Sequence, residues 1–126
     1  MASSSNPLRV VDSISELAAA DAGCIAVSGS HGGISSARFA LAARPLLSVF
    51  NDAGVGKDQA GLASLAFLQS HGLAACCVTH TSARIGDAKS TLNEGIIGHL
   101  NELAGQLGVE PGQTVLLFLE TNRKLS

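Results

Sequence analysis

The chain has no tryptophan, no tyrosine and only four phenylalanines, and its eight lysines and arginines form no cluster. A nucleic-acid interface needs a basic face or aromatic rings on which bases can stack, so nucleic acid is disfavoured as a partner. Charge of both signs is scarce. Charged residues make up 14% of the sequence, against about 25% in an ordinary soluble domain, and the net charge is −2. So little charge on a chain of this size suggests that part of its surface is covered by a second copy, and a homo-oligomer is expected. No apolar run approaches the roughly 18 residues that span a bilayer, so no membrane partner is expected. The opening "MASSSNPL" lacks the basic and apolar stretches of a secretory signal. It reads as a disordered tail (1–7) ahead of a single α/β domain (8–126).

Cysteine is also sparse. Cys24, Cys76 and Cys77 all lie inside apolar runs, and an odd count of buried thiols suits a reducing, cytoplasmic setting. Adjacent Cys76 and Cys77 would face opposite sides of a strand and so would not pair.

What the sequence does contain is apolar runs alternating with helical patterns. Five runs read as strands: 8–11, 24–29, 46–50, 74–80 and 114–120. They are continuous rather than alternating in apolar character, as strands covered on both faces are. Between them, a capping box (Ser13, Glu16) opens a short helix to Ala20. A second helix covers Ile34 to Ala43 and stops at Arg44 because Pro45 follows. A third runs from Asp58 to Ser70 and ends at Gly72. A fourth opens at a second capping box (Thr91, Glu94), carries the stripe Leu92, Ile96, Leu100, Leu103, Leu107, and closes at Gly108. The alternation predicts a three-layer α/β/α fold with a five-stranded, mostly parallel sheet in flavodoxin-like (2-1-3-4-5) or related doubly wound order.

In such sheets ligands bind outside the carboxyl ends of the strands. The polar, glycine-rich segments gather at that edge: 28–34 after the second strand, 51–58 after the third and 80–88 after the fourth. The opposite edge has plain turns. Two phosphate-binding patterns fail in these loops. "NDAGVGKD" has Asn51 where the first P-loop glycine belongs and Asp58 where the Mg²⁺-binding hydroxyl belongs. The G-x-G-x-x-G spacing is absent as well, so a nucleotide triphosphate and a dinucleotide are both unlikely cofactors.

A small anionic ligand fits better. Gly32 and Gly33 precede one helix, and Gly54 and Gly56 precede another, where free backbone N–H groups can face a carboxylate. Lys57 and Arg84 would add charge, with Ser30, Asn51, Ser82 and Asp87 completing the ligand shell. His31 and His80 can exchange protons near neutral pH, and Asp52 can orient one of them. The set His31, Asp52, His80 and Asp87 has mixed ligands that a divalent metal would accept, though no close-spaced metal signature supports it. No G-x-S-x-G elbow is present. The expected function is a small cytoplasmic enzyme acting on a small polar, carboxylate-bearing molecule by histidine acid/base chemistry, either hydrolysis or proton abstraction. The alternative is a non-catalytic anion-binding module or a subunit of a larger complex.

Overall fold

The computed structural model describes residues 6–125. The fold is α/β. A five-stranded, mostly parallel sheet is formed by β1 (Leu8–Val11), β2 (Ile25–His31), β3 (Leu47–Asn51), β4 (Ala74–Val78) and β5 (Ile97–Leu100). Helices cover both faces: α1 (Ile34–Ala43), α2 (Ala63–Ser70), α3 (Ala88–Glu94), α4 (Glu102–Gln106) and α5 (Val115–Leu125).

Period-two alternation splits the core in two. Cys24, Ala26, Phe50, Ala75 and Cys77 pack under Ile14, Ala37, Ala40 and Leu68, so the first three connections share one face. Ile25, Val27, Val49, Cys76 and Val78 pack under Ala83, Ala104, Val109, Val115 and Phe118 on the other. Cys76 and Cys77 point to opposite faces, and all three thiols are free and buried.

The strand order is β1-β2-β3-β4-β5, with β4 and β5 antiparallel, and not the 2-1-3-4-5 order expected within this class. The reason lies in β1. A central strand needs both edges paired and both faces covered. β1 has four residues, its Leu8 and Val10 are partly exposed, and Arg9 reaches Asp21 at 2.5 Å. It serves as an edge strand beside β2. Residues 1–5 of the predicted tail lie outside the described residues. Its last two are held, Asn6 through its side-chain amide on the Gly23 carbonyl and Pro7 through a bond from the Ile25 N–H.

Two further corrections concern the C-terminal third. The run 114–120 is not a strand but the start of α5. The Thr114 hydroxyl accepts from the Leu117 N–H, and Val115 and Phe118 are buried one helical turn apart while Leu116 and Leu117 face out. The predicted helix 91–107 is broken into α3, β5 and α4. Gly95 and Gly98 weaken a helix there, and β-branched Ile96 and Ile97 suit an extended segment. Asn101 then starts α4. Its Oδ1 accepts from the Ala104 and Ala75 N–H groups, and its Nδ2 donates to the Leu65 and Leu73 carbonyls.

The third helix is shorter than expected, starting at Ala63 and not at Asp58. Asp58 and Gln59 adopt left-handed backbone, as do Ala53 and Val55. Val55 is the costly one. It is β-branched at φ 69°, in a tight turn closed by Gly56 N–H to the Gly54 carbonyl at 2.8 Å. Val55→Gly is therefore expected to stabilise the fold by about 1 kcal/mol, the left-handed strain outweighing the extra chain entropy of glycine. A thermal melt should show a rise of about 4 °C. A fall in melting temperature would mean that the Val55 side chain contributes more than its backbone costs.

Candidate functional site

The three loops expected to converge do so, at the carboxyl ends of β2, β3 and β4. His31 pairs with Asn51 across β2 and β3, and Asn51 pairs with Val78 across β3 and β4. Gly32 N–H donates to the Asn51 carbonyl at 2.8 Å, the Asn51 side-chain amide to the Ala83 carbonyl at 3.0 Å, and Gly86 N–H to the Gly29 carbonyl at 2.7 Å. A register irregularity between Val27 and His31 re-aims the end of β2.

Close approach of backbones, and not anion binding, explains several of the glycines. A β-carbon at Gly29 would overlap the Asp87 amide nitrogen. One at Gly32 would overlap the Gly61 carbonyl oxygen, and one at Gly61 the Asp52 carbonyl oxygen. The four amides expected to cradle an anion are spent inside the protein. Gly32 N–H is on the Asn51 carbonyl, Gly33 N–H on His31 Nδ1, Gly54 N–H on Asp52 Oδ1, and Gly56 N–H on the Gly54 carbonyl. The cradle read from these glycines is not formed.

Most of the predicted hydroxyls and charges are structural as well. Ser30 Oγ accepts from Ile14 N–H, and Ser28 Oγ donates to the Val49 carbonyl. Ser82 Oγ donates to the Thr79 carbonyl and accepts from Ile96 N–H. Asp87 caps α3 by accepting from Ser90 N–H, and its other oxygen lies 3.6 Å from Arg84. The Arg84 side chain is 80% exposed, so this pair contributes little, and Arg84→Lys should leave folding and binding alike unchanged. Lys57 is exposed. Asn51 is fully buried and ties two loops together through both ends of its amide.

Asp52 and His80 stand apart. The Asp52 carboxylate is 5% exposed, and its Oδ1 accepts from Gly54 N–H at 2.8 Å, His80 N–H at 3.0 Å and His80 Nδ1 at 3.1 Å. A carboxylate oxygen accepts, so the proton sits on Nδ1 and the Nε2 lone pair is free. The His80 side chain is 55% exposed. His31 has the opposite arrangement. Its Nδ1 accepts from Gly33 N–H at 3.1 Å, which leaves Nε2 as the N–H. One histidine presents a base to its surroundings and the other a donor.

Beside them lies a cavity of about 460 Å³. Its walls are His31, Ile34, Ala53, Val55, Ala60 and Ala63, with Gly33, Gly56 and Gly61 between them. His80 is at the next turn, its ring against Gly54. Under the cavity floor the Cys77 thiol is 3.8 Å from the Gly61 carbonyl. Burial pushes this thiol up to about 12, despite the lowering effect of the Ser64 hydroxyl, and burial raises Cys76 and Cys24 too. None of the three is a nucleophile at neutral pH. Among the described residues no three His, Cys, Asp or Glu side chains are placed to hold a metal ion, so the expected set of His31, Asp52, His80 and Asp87 reduces to the pair Asp52–His80. No described helix is long and apolar enough to cross a membrane.

No family model, no curated protein and no solved structure matches the chain.

The sequence pointed to His31, His80 and Asp52. It gave no weight to the apolar wall of Ala53, Val55, Ala60 and Ala63. Ala60 and Ala63 fall inside the helix expected over 58–70, which in fact begins only at Ala63, and nothing in their spacing marks them as cavity lining.

Proposed function

We propose that the protein is an acid/base enzyme acting on a small molecule, with His80 as the general base, Asp52 as the group that orients it, and His31 as a hydrogen-bond donor to the substrate. The observation that carries this reading is the contact between a buried carboxylate and a half-exposed imidazole. Asp52 fixes the tautomer and the ring plane, and Nε2 is left facing outward with its lone pair. The Ser30 and Ser82 hydroxyls are engaged in the fold, the Ser64 hydroxyl is buried, and the thiols are neutral, which favours direct proton abstraction or activation of a water over a covalent intermediate.

His31 ends β2 and His80 lies two residues beyond β4, strands that are two sheet spacings, about 10 Å, apart. A substrate seated against His31 has to reach over the turn at Ala53 and Gly54 to meet His80. The test has two parts. Long-range ¹H–¹⁵N correlation should find His80 protonated on Nδ1 and His31 on Nε2 at pH 8. Wild-type protein should then turn over at least one member of a panel of small esters, amides and enolisable ketones, and His80→Gln should lose about 10²–10⁴ in rate. If the wild type binds panel members but converts none, the protein is a binding module.

Self-association belongs to the same proposal. Phe39, Ile85, Leu116 and Leu117 are each about half-exposed, more apolar surface than so lightly charged a chain needs for itself. Light scattering at micromolar concentration should give a dimer mass. A stable monomer would remove this part of the proposal.

A further inference from the structure

The cavity has a chemistry of its own. Among the described residues that line it, His31 is the only ionisable one, and the remaining walls are alkyl: Ile34, Ala53, Val55, Ala60 and Ala63. The cations expected to serve an anion lie elsewhere. Lys57 and Arg84 are exposed and neither lines the cavity, and Arg84 already has Asp87. The loop amides that could replace a cation are bonded within the protein. Gly33 N–H donates to His31 Nδ1, so the ring offers its N–H at Nε2. The amino end of α1 opens at Ile34 and adds only partial positive charge.

The cavity is open at its rim, where His31, Ile34, Ala53 and Ala60 are exposed, so a carboxylate or phosphate could keep part of its water but would meet no cation or free amide among the lining residues to hold it there. An alkyl group would be removed from water against alkyl walls, which is favourable. We infer that the cavity takes a small, uncharged, branched-alkyl molecule with one hydrogen-bond acceptor, a carbonyl oxygen directed at His31 Nε2–H. This replaces the carboxylate-bearing ligand expected from the loops. It deepens the proposed function by assigning a substrate class, and it rests on that reading only for what happens after binding.

The experiment compares three probes on the full-length chain: 3-methylbutanamide, 3-methylbutanoate and inorganic phosphate. Binding is followed through the methyl signals of Ala53, Ala60 and Ala63 and the ring signals of His31 at pH 8. The neutral amide should shift these signals saturably and at least about tenfold more tightly than the carboxylate, and phosphate should shift none of them. Ala63→Leu, which fills the cavity with alkyl volume, should abolish binding while the protein melts normally. His31→Ala should weaken binding by about tenfold through the lost hydrogen bond. If Ala63→Leu fails to fold, Ala60→Leu from the same wall serves in its place. Equal or tighter binding of the carboxylate overturns the inference. So does displacement of the amide by phosphate, an absence of saturable binding by the amide, or shifts confined to signals away from the cavity. The two readings fail separately. If the amide binds as stated and nothing is turned over, the ligand class stands and the catalytic reading falls. If turnover depends on His80 but the amide does not bind, the reverse holds.

Discussion

Gly61→Ala should cost about 3 kcal/mol or more, enough to leave much of the protein unfolded, because the site is built around the absence of one carbon. A β-carbon at Gly61 would overlap the Asp52 carbonyl oxygen and stand 3.0 Å from both the Asp52 carbonyl carbon and the Val55 carbonyl oxygen. All three are backbone atoms, so no flexible side chain can swing away. Gly61 N–H is also bonded to the Val55 carbonyl at 2.6 Å, which pins the segment against the 52–55 turn. The effect comes from close approach and not from dihedral freedom, since Gly61 is not among the residues with positive φ. Gly105→Ala is the matched control. Gly105 lies inside α4, and its new β-carbon would meet only a Leu100 methyl at 3.5 Å, an ordinary contact. Alanine there should be neutral or stabilise by up to about 1 kcal/mol through helix propensity. Urea denaturation of both variants decides the matter. A Gly61→Ala protein within about 0.5 kcal/mol of the parent would show that the two loops are not packed as described.

The second large effect concerns Asp52, where stability and chemistry separate. Asp52→Ala removes the acceptor for Gly54 N–H, His80 N–H and His80 Nδ1 in a place that water barely reaches. Leaving such donors unsatisfied should cost about 3 kcal/mol and loosen the whole 52–55 turn. Asp52→Asn keeps an oxygen in the same position, so its stability should stay within about 1 kcal/mol of the parent. Its charge is gone, however, and with it the stabilisation of a protonated His80. The rate should fall by about 10²–10⁴ with the neutral-amide probe still bound. Denaturant titration of both variants, together with turnover by Asp52→Asn on the best substrate of the panel, checks both halves. An Asp52→Asn protein that keeps full activity would make the Asp52–His80 contact purely structural.

In two segments of this chain one apolar pattern is compatible with both helix and strand. The stripe Leu92, Ile96, Leu100, Leu103, Leu107 has helical spacing, yet Ile97–Leu100 pairs with β4. Asn101 was the sign that a new helix starts there, since asparagine before a glutamate is a good helix start. The run 114–120 had the composition of a buried strand, but short apolar runs do not distinguish strand from helix by period. Thr114 at the start was the available clue. In the site, residue types were legible and availability was not. Ser30, Ser82, Asp87 and Asn51 sit at the expected edge but spend their polar atoms on the fold.

The sequence by itself determined β1, the interior strands β2, β3 and β4 to within a few residues, both ends of α1, and the gathering of three polar loops at one sheet edge. These follow from local terms: apolar period, the proline after Arg44, and the alternation of strands with helices that brings successive loops to the same side. Only the tertiary structure decided that β1 lies at the edge, that Ile97–Leu100 completes the sheet, and that Asp52 selects His80 and not His31. It also decided that the glycine amides face the protein, beside a largely alkyl-walled cavity that His31 lines. Each of these turns on which hydrogen-bond partner or apolar surface arrives from a distant part of the chain. His80 and Asp52 are 28 residues apart, and Cys77 and Gly61 are 16. That competition for partners is settled only when the loops are packed together.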